Sequence, residues 1–129
     1  MIPRTLDQVL AAARSRLDRV EPNDLSAHVA DGAIVVDVRD SALRQSQGVM
    51  PGAQVIDLTV LEWRLAPSSG FRSVDLREGQ EVILVCSEGF SSSLAAARLK
   101  DLGVDGATDL VGGFKGWKAH ENSFESTGT

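Results

Sequence analysis

Cysteine is all but missing from this chain of 129 residues. The single one, Cys86, excludes an intramolecular disulfide, and with only His28 and His120, far apart, no metal-ligand spacing arises. Cations are outnumbered, 13 Lys and Arg against 18 Asp and Glu, for a net charge of -5. Binding to phosphate backbones relies on clustered Lys and Arg, so no nucleic-acid partner is expected. No run approaches the roughly 20 apolar residues of a membrane span, and the first residues lack the apolar segment of a secretory signal. Arg4, Arg14, Arg16 and Arg19 suit a transit peptide, but Asp7 and Asp18 spoil the pattern. These absences lead us to expect one cytoplasmic domain without metal, cofactor or membrane partner. A domain of this length buries about two thirds of its unfolded surface and needs no staple.

What the chain does hold centres on residues 81–103, EVILVCSEGFSSSLAAARLKDLG. Glu81 to Val85 is an apolar, β-branched run of the kind that makes a buried parallel strand, and Cys86 stands where it stops. Ser91 to Leu102 carries Leu94, Ala95, Leu99 and Leu102 at helical spacing, with Gly103 as a stop signal. The loop between holds only Ser87, Glu88, Gly89 and Phe90. So short a loop directs its backbone N–H groups, and those of the helix's first turn, at the sulfur, which favours an anion and lowers a thiol pKa. By position alone a second reading stays open, in which Cys86 is a small hydrophobe closing a buried strand.

The pattern of Cys, two residues, Gly and a polar helix start resembles the active-site loop of rhodanese-type sulfurtransferases. VVDVRD at 35–40, GVMPGA at 48–53 and DLVGGFKGW at 109–117 resemble that family's other signatures, in the same order. The resemblance implies a rhodanese-like domain over 21–121; helical spacing before it reads as an amphipathic helix extension over 1–20, and the polar end as a frayed tail over 122–129. Strand candidates that alternate with helical segments imply an α/β fold with a mostly parallel sheet flanked by helices on both faces, and the resemblance adds that the sheet is five-stranded. Cys86 is the implied nucleophile, and Ser87, Glu88, Gly89, Phe90, Ser91 and Ser92 the substrate-binding loop. Implied partners are a sulfane-sulfur donor, small molecule or protein persulfide, and a thiol or cyanide acceptor.

Elsewhere, Leu6, Val9, Leu10, Ala13 and Leu17 recur at helical spacing behind Thr5 as N-cap, a stripe expected to pack on the domain. A short helix follows Pro22, with Leu25 and Val29 one turn apart and Gly32 as its stop. Ala33 to Val38 reads as a buried strand in which Asp37 needs a partner. Arg39, just past that strand's carboxyl end, is expected either to face an anionic sulfur donor, as the resemblance implies, or to form a surface ion pair. Val55 to Leu58 reads as a further strand and Thr59 to Leu65 as a short helix, with Leu61, Trp63 and Leu65 packing and Arg64 as a rim charge. Val49 stands where the resembled family commonly has His, a departure expected to touch a structural contact. The loop from Ala66 to Gln80 is long enough to bind something or move, so specificity is expected there. Ala107 to Val111 is the last strand candidate, and Gly112-Gly113 is expected to make a tight turn into a helix carrying Phe114 and Trp117.

Two other activities compete with sulfur transfer. Phosphatases and arsenate reductases of the same fold place Arg six residues after the cysteine, a position held here by Ser92. A noncatalytic binding module would keep the scaffold without the chemistry. Glu88 beside the thiol predicts weak use of dianionic thiosulfate.

Overall fold

The computed structural model describes residues 2–127. In chain order the elements are α1 (Leu6–Arg14), α2 (Leu25–Ala30), β1 (Ile34–Asp37), α3 (Ser41–Gln47), β2 (Gln54–Val55), α4 (Leu61–Leu65), β3 (Val82–Val85), α5 (Ser91–Asp101), β4 (Ala107–Asp109) and α6 (Gly113–Thr127). The strands form one parallel sheet in the order β2-β1-β3-β4. Parallel strands need crossovers, and the intervening helices supply them.

Strand alternation sorts the apolar residues onto two faces. Val36, Val82, Leu84 and Cys86 join Leu61 and Leu65 of α4 and Ala95, Ala96 and Leu99 of α5 in one core cluster. Val35, Ile83 and Val85 join Leu25, Met50, Leu110 and Phe114 in the other. Register pairs Leu84 with Asp109, so the Asp109 side chain lies on the face that α5 covers.

The sheet has four strands rather than the expected five. Among the described residues only Val20 makes a parallel bridge beside β4, to Leu110, through Val20 N–H to Asp109 O and Val111 N–H to Val20 O. Pro22 follows two residues later with no N–H to extend a ladder. β2 is confined to Gln54–Val55, short of the strand expected to run on to Leu58, because Asp57 caps a turn of 3-10 helix over Leu58–Val60 that leads into α4. Helix α3 has no buried residue and hence no apolar stripe in the sequence; the Asp40 side chain accepts from Leu43 N–H and starts it. Trp63 is 54% exposed instead of packed, and Val49, expected to touch a structural contact, is 76% exposed. Past Asn122, where a tail is expected, α6 runs on to Thr127, its residues after Gly116 free of Gly and Pro; residues 128–129 of that tail lie outside the described residues.

Helix α1 starts on a full capping box: the Thr5 side chain accepts from Gln8 N–H while Gln8 accepts from Thr5 N–H. It packs on α5, with Ala13 and, just past its end, Leu17 buried. Leu6, at its tip, is exposed. The 66–80 loop crosses the far end of α5 from Cys86: Pro67 lies beside Gly103, and Gln80 donates to Gly32 O ahead of β1. The eleven residues of α5, about 16 Å of helix, lie between Pro67 and the start of that helix beside the thiol, whereas Val74 and Leu76 of the loop pack against the core cluster that includes Cys86.

Among the described residues no helix is long and apolar enough to cross a membrane. Among them, too, no group of three or more His, Cys, Asp or Glu side chains is arranged to hold a metal ion.

Candidate active site

In the order β2-β1-β3-β4, the chain leaves β1 toward one edge and β3 toward the other. The carboxyl ends of β1 and β3 therefore flank the switch point at which open α/β sheets bind ligands. Cys86 directly follows β3 there, 6% exposed, and α5 begins five residues later.

The loop is held from outside by its carbonyls. Cys86 O accepts from Phe114 N–H at 2.8 Å and Ser87 O from Lys115 N–H at 3.0 Å, both in the first turn of α6. Gly89 O accepts from Arg14 Nη2 at 2.7 Å and Arg19 Nη2 at 3.2 Å. The Gly112-Gly113 turn makes this closeness possible. A Cβ on Gly113, at φ +61°, would stand 2.5 Å from Cys86 O and 2.8 Å from the nitrogens of Glu88 and Gly89. With carbonyls turned outward, Gly89 N–H turns inward and reaches Cys86 Sγ at 3.1 Å. The Ser92 hydroxyl lies 3.1 Å from the same sulfur.

These contacts decide the thiol's ionisation. Burial, the largest influence, disfavours the thiolate, but hydrogen bonds from the Ser92 hydroxyl and amide, the Ser91 hydroxyl and Gly89 N–H outweigh it, and the Cys86 pKa is lowered from its ordinary value. Behind Ser92 stands Asp109, fully buried at the end of β4. Its Oδ2 accepts from Ser92 Oγ and Ser93 Oγ, each at 2.7 Å, and its carboxylate is gripped by Arg19 at 2.8 and 3.2 Å.

The remaining loop residues face outward. Ser87 Oγ accepts from Gln47 Nε2 at 2.7 Å, and exposed Phe90 lies under the Arg14 guanidinium, 5.7 Å from its ring centre. Glu88 pairs with Lys115 Nζ at 2.8 Å, both about half exposed. Arg39 is not a rim cation. It is buried, gives Asp37 two side-chain hydrogen bonds at 3.0 and 2.6 Å, donates to Gly48 O and Gln47 Oε1, and stacks 4.0 Å from the Phe114 ring centre. The carboxylate it neutralises, Asp37, is the one the strand pattern left in need of a partner.

Sequence reasoning missed Asp109, Arg14, Arg19, Lys115 and Gln47 at this site. Only Asp109 had a readable signal, as a carboxylate inside the strand candidate Ala107 to Val111 with no cation beside it in sequence.

A rhodanese-like domain model matches residues 21–120, well over half of the chain. The chain belongs to the rhodanese-like family. Among its relatives is the thiosulfate sulfurtransferase GlpE of Pseudomonas fluorescens (strain SBW25), 34% identical over 104 residues, covering 81% of this chain and 87% of the relative. The human single-domain sulfurtransferase TSTD1 superposes with a TM-score of 0.64 at 25% identity, covering 78% of this chain and 95% of that one. A protein of unknown function from Rhodopseudomonas palustris, described as a possible tyrosine phosphatase, superposes with a TM-score of 0.81 at 26% identity over 94% of both chains. This rhodanese-like chain is thus similar to sulfurtransferases across its domain, and that last likeness takes in more of the chain than residues 21–120 alone.

Proposed function

We propose that this protein moves a sulfane sulfur from a donor to a nucleophilic acceptor through a persulfide on Cys86. The reading is carried by one observation: a buried thiol at the sheet's switch point, its pKa lowered by Gly89 N–H and the Ser91 and Ser92 donors. In the first step the Cys86 thiolate attacks the outer sulfur of the donor. A new S–S bond forms and the donor's own bond to that sulfur breaks, its electron pair leaving with the remainder, sulfite in the case of thiosulfate. In the second step a thiol or cyanide attacks the outer sulfur, and the electron pair of the Cys86 S–S bond returns to the thiolate. The sequence needs no external oxidant, reductant or cofactor. The inward amides of the Ser87–Ser92 loop serve both anions, thiolate and persulfide, as a fixed cradle.

The names of the GlpE relatives suggest thiosulfate as one donor. Modest turnover of it is expected, because the cations nearest the loop are engaged: Lys115 with Glu88, Arg14 and Arg19 with Gly89 O, and Arg39 with Asp37. Tyrosine phosphatase chemistry is disfavoured. The position for an oxyanion-gripping arginine is Ser92, and Arg14 and Arg19 meet the loop at an outward carbonyl.

Intact mass spectrometry after incubation with thiosulfate, polysulfide or a cysteine persulfide tests the proposal. The expected result is the gain of one reducible sulfur atom, lost in folded Cys86→Ser. If folded wild-type protein gains no sulfur from any of these donors, the proposal fails and a noncatalytic binding role takes its place.

A further inference from the structure

The Ser92 hydroxyl has one hydrogen and two claimants. Cys86 Sγ lies 3.1 Å to one side and Asp109 Oδ2 2.7 Å to the other. While Cys86 is a thiol, its S–H donates to Ser92 Oγ and Ser92 donates to Asp109. Once the thiol proton has gone to a solvent base, the sulfur can only accept, and the hydroxyl hydrogen must turn toward it for the thiolate to be held. Asp109 then loses a donor in a fully buried place, which is costly unless other donors remain. They do remain: Arg19 Nε on Oδ1, and Arg19 Nη2 and Ser93 Oγ on Oδ2.

We propose that Ser92 is a one-hydrogen switch between Asp109 and Cys86, and that Arg19 sets it toward the sulfur by satisfying Asp109. Ser92 thereby lowers the cost of the thiolate both as attacking group and as the group released when the acceptor takes the outer sulfur. Arg19 precedes residues 21–120, the part of the chain matched by the family model, so a residue of the N-terminal extension positions the nucleophile's partner. The mechanism rests on Cys86 being the nucleophile, but the switch itself concerns only its ionisation. The charged groups around the thiol are Asp109 of β4, Arg19, Arg14 of α1 and the Glu88–Lys115 pair at the loop rim. Asp37 and Arg39 neutralise each other on the opposite face of the sheet, against Phe114.

Iodoacetamide alkylation of folded protein, followed by mass spectrometry across pH, reads the switch without any sulfur donor. The wild-type midpoint is expected below that of a free cysteine. Ser92→Ala should raise it by about one to two pH units, the worth of a hydrogen bond to a charged group. Arg19→Gln should also raise it, because Asp109 then retains the Ser92 hydrogen, whereas Asp109→Asn should lower it. Plain Coulomb effects share those last two signs, so a double-mutant cycle decides. In a Ser92→Ala background the Asp109→Asn shift should shrink to its Coulomb part. If it persists undiminished, or if Ser92→Ala leaves the midpoint in place, the switch is wrong, whatever the sulfur-transfer result. If Asp109→Asn does not fold, the same cycle is run with Arg19→Gln, where an undiminished shift again overturns it. Persulfide failure beside a normal cycle would leave the switch standing and remove only the sulfurtransferase reading.

Discussion

Glu88 and Lys115 show how one contact alters an electrostatic expectation. A lone carboxylate beside a bound dianion would cost a tenfold or larger loss of rate, but this one faces solvent and carries its own cation. Half-exposed pairs are worth little, so the effect of breaking this one is small and depends on salt. Lys115→Gln, which leaves Glu88 uncompensated, should lower thiosulfate kcat/KM roughly two- to fivefold at low ionic strength, and Glu88→Gln should raise it by a similar factor. Both differences should shrink at high salt. Equal kcat/KM for the three proteins at low salt would mean that the pair lies outside the donor's field.

Among the elements, the junction of the Cys86 loop with the start of α6 is the least tolerant. Two backbone segments approach so closely that only glycine fits at Gly113, where a Cβ would meet three loop atoms at 2.5 to 2.8 Å. Gly113→Ala should cost at least about 1 to 3 kcal/mol of stability from backbone strain, seen as a lower denaturation midpoint. It should also slow Cys86 alkylation by displacing the loop. Gly52→Ala is the control, since Gly52 also has positive φ but its added Cβ meets nothing within 4 Å. If the two variants alkylate alike, the close approach has no bearing on the thiol.

At the scale of the whole molecule, the Asp37–Arg39 pair ties the end of β1 to the Gly48 turn and to Phe114 of α6. Removing one partner of a buried pair leaves an uncompensated charge. Arg39→Ala is therefore expected to cost about 3 to 5 kcal/mol, measured by thermal or urea denaturation, with part of the loss recovered in Asp37→Asn/Arg39→Met. Where the single variant is still folded, Cys86 alkylation should be near normal. Full stability combined with lost donor binding would instead return Arg39 to the rim.

Buried strands were legible because short unbroken apolar runs rich in β-branched residues, such as Val82–Val85, have few other uses, and the loop because a cysteine sits between a strand and a helix start. Helix α3 was not, because it buries nothing and so has no period to read. Sequence alone thus determined the parallel α/β plan and the place of Cys86 at the strand ends, since both follow from local pattern and short connections. Tertiary structure alone decided which charges meet there. Asp109 reaches Ser92 and Arg19 across 17 and 90 residues of chain, Glu88 reaches Lys115 across 27, and Arg39 turns inward to Asp37. Such pairings depend on which faces the packed elements present to one another, and no local propensity encodes that.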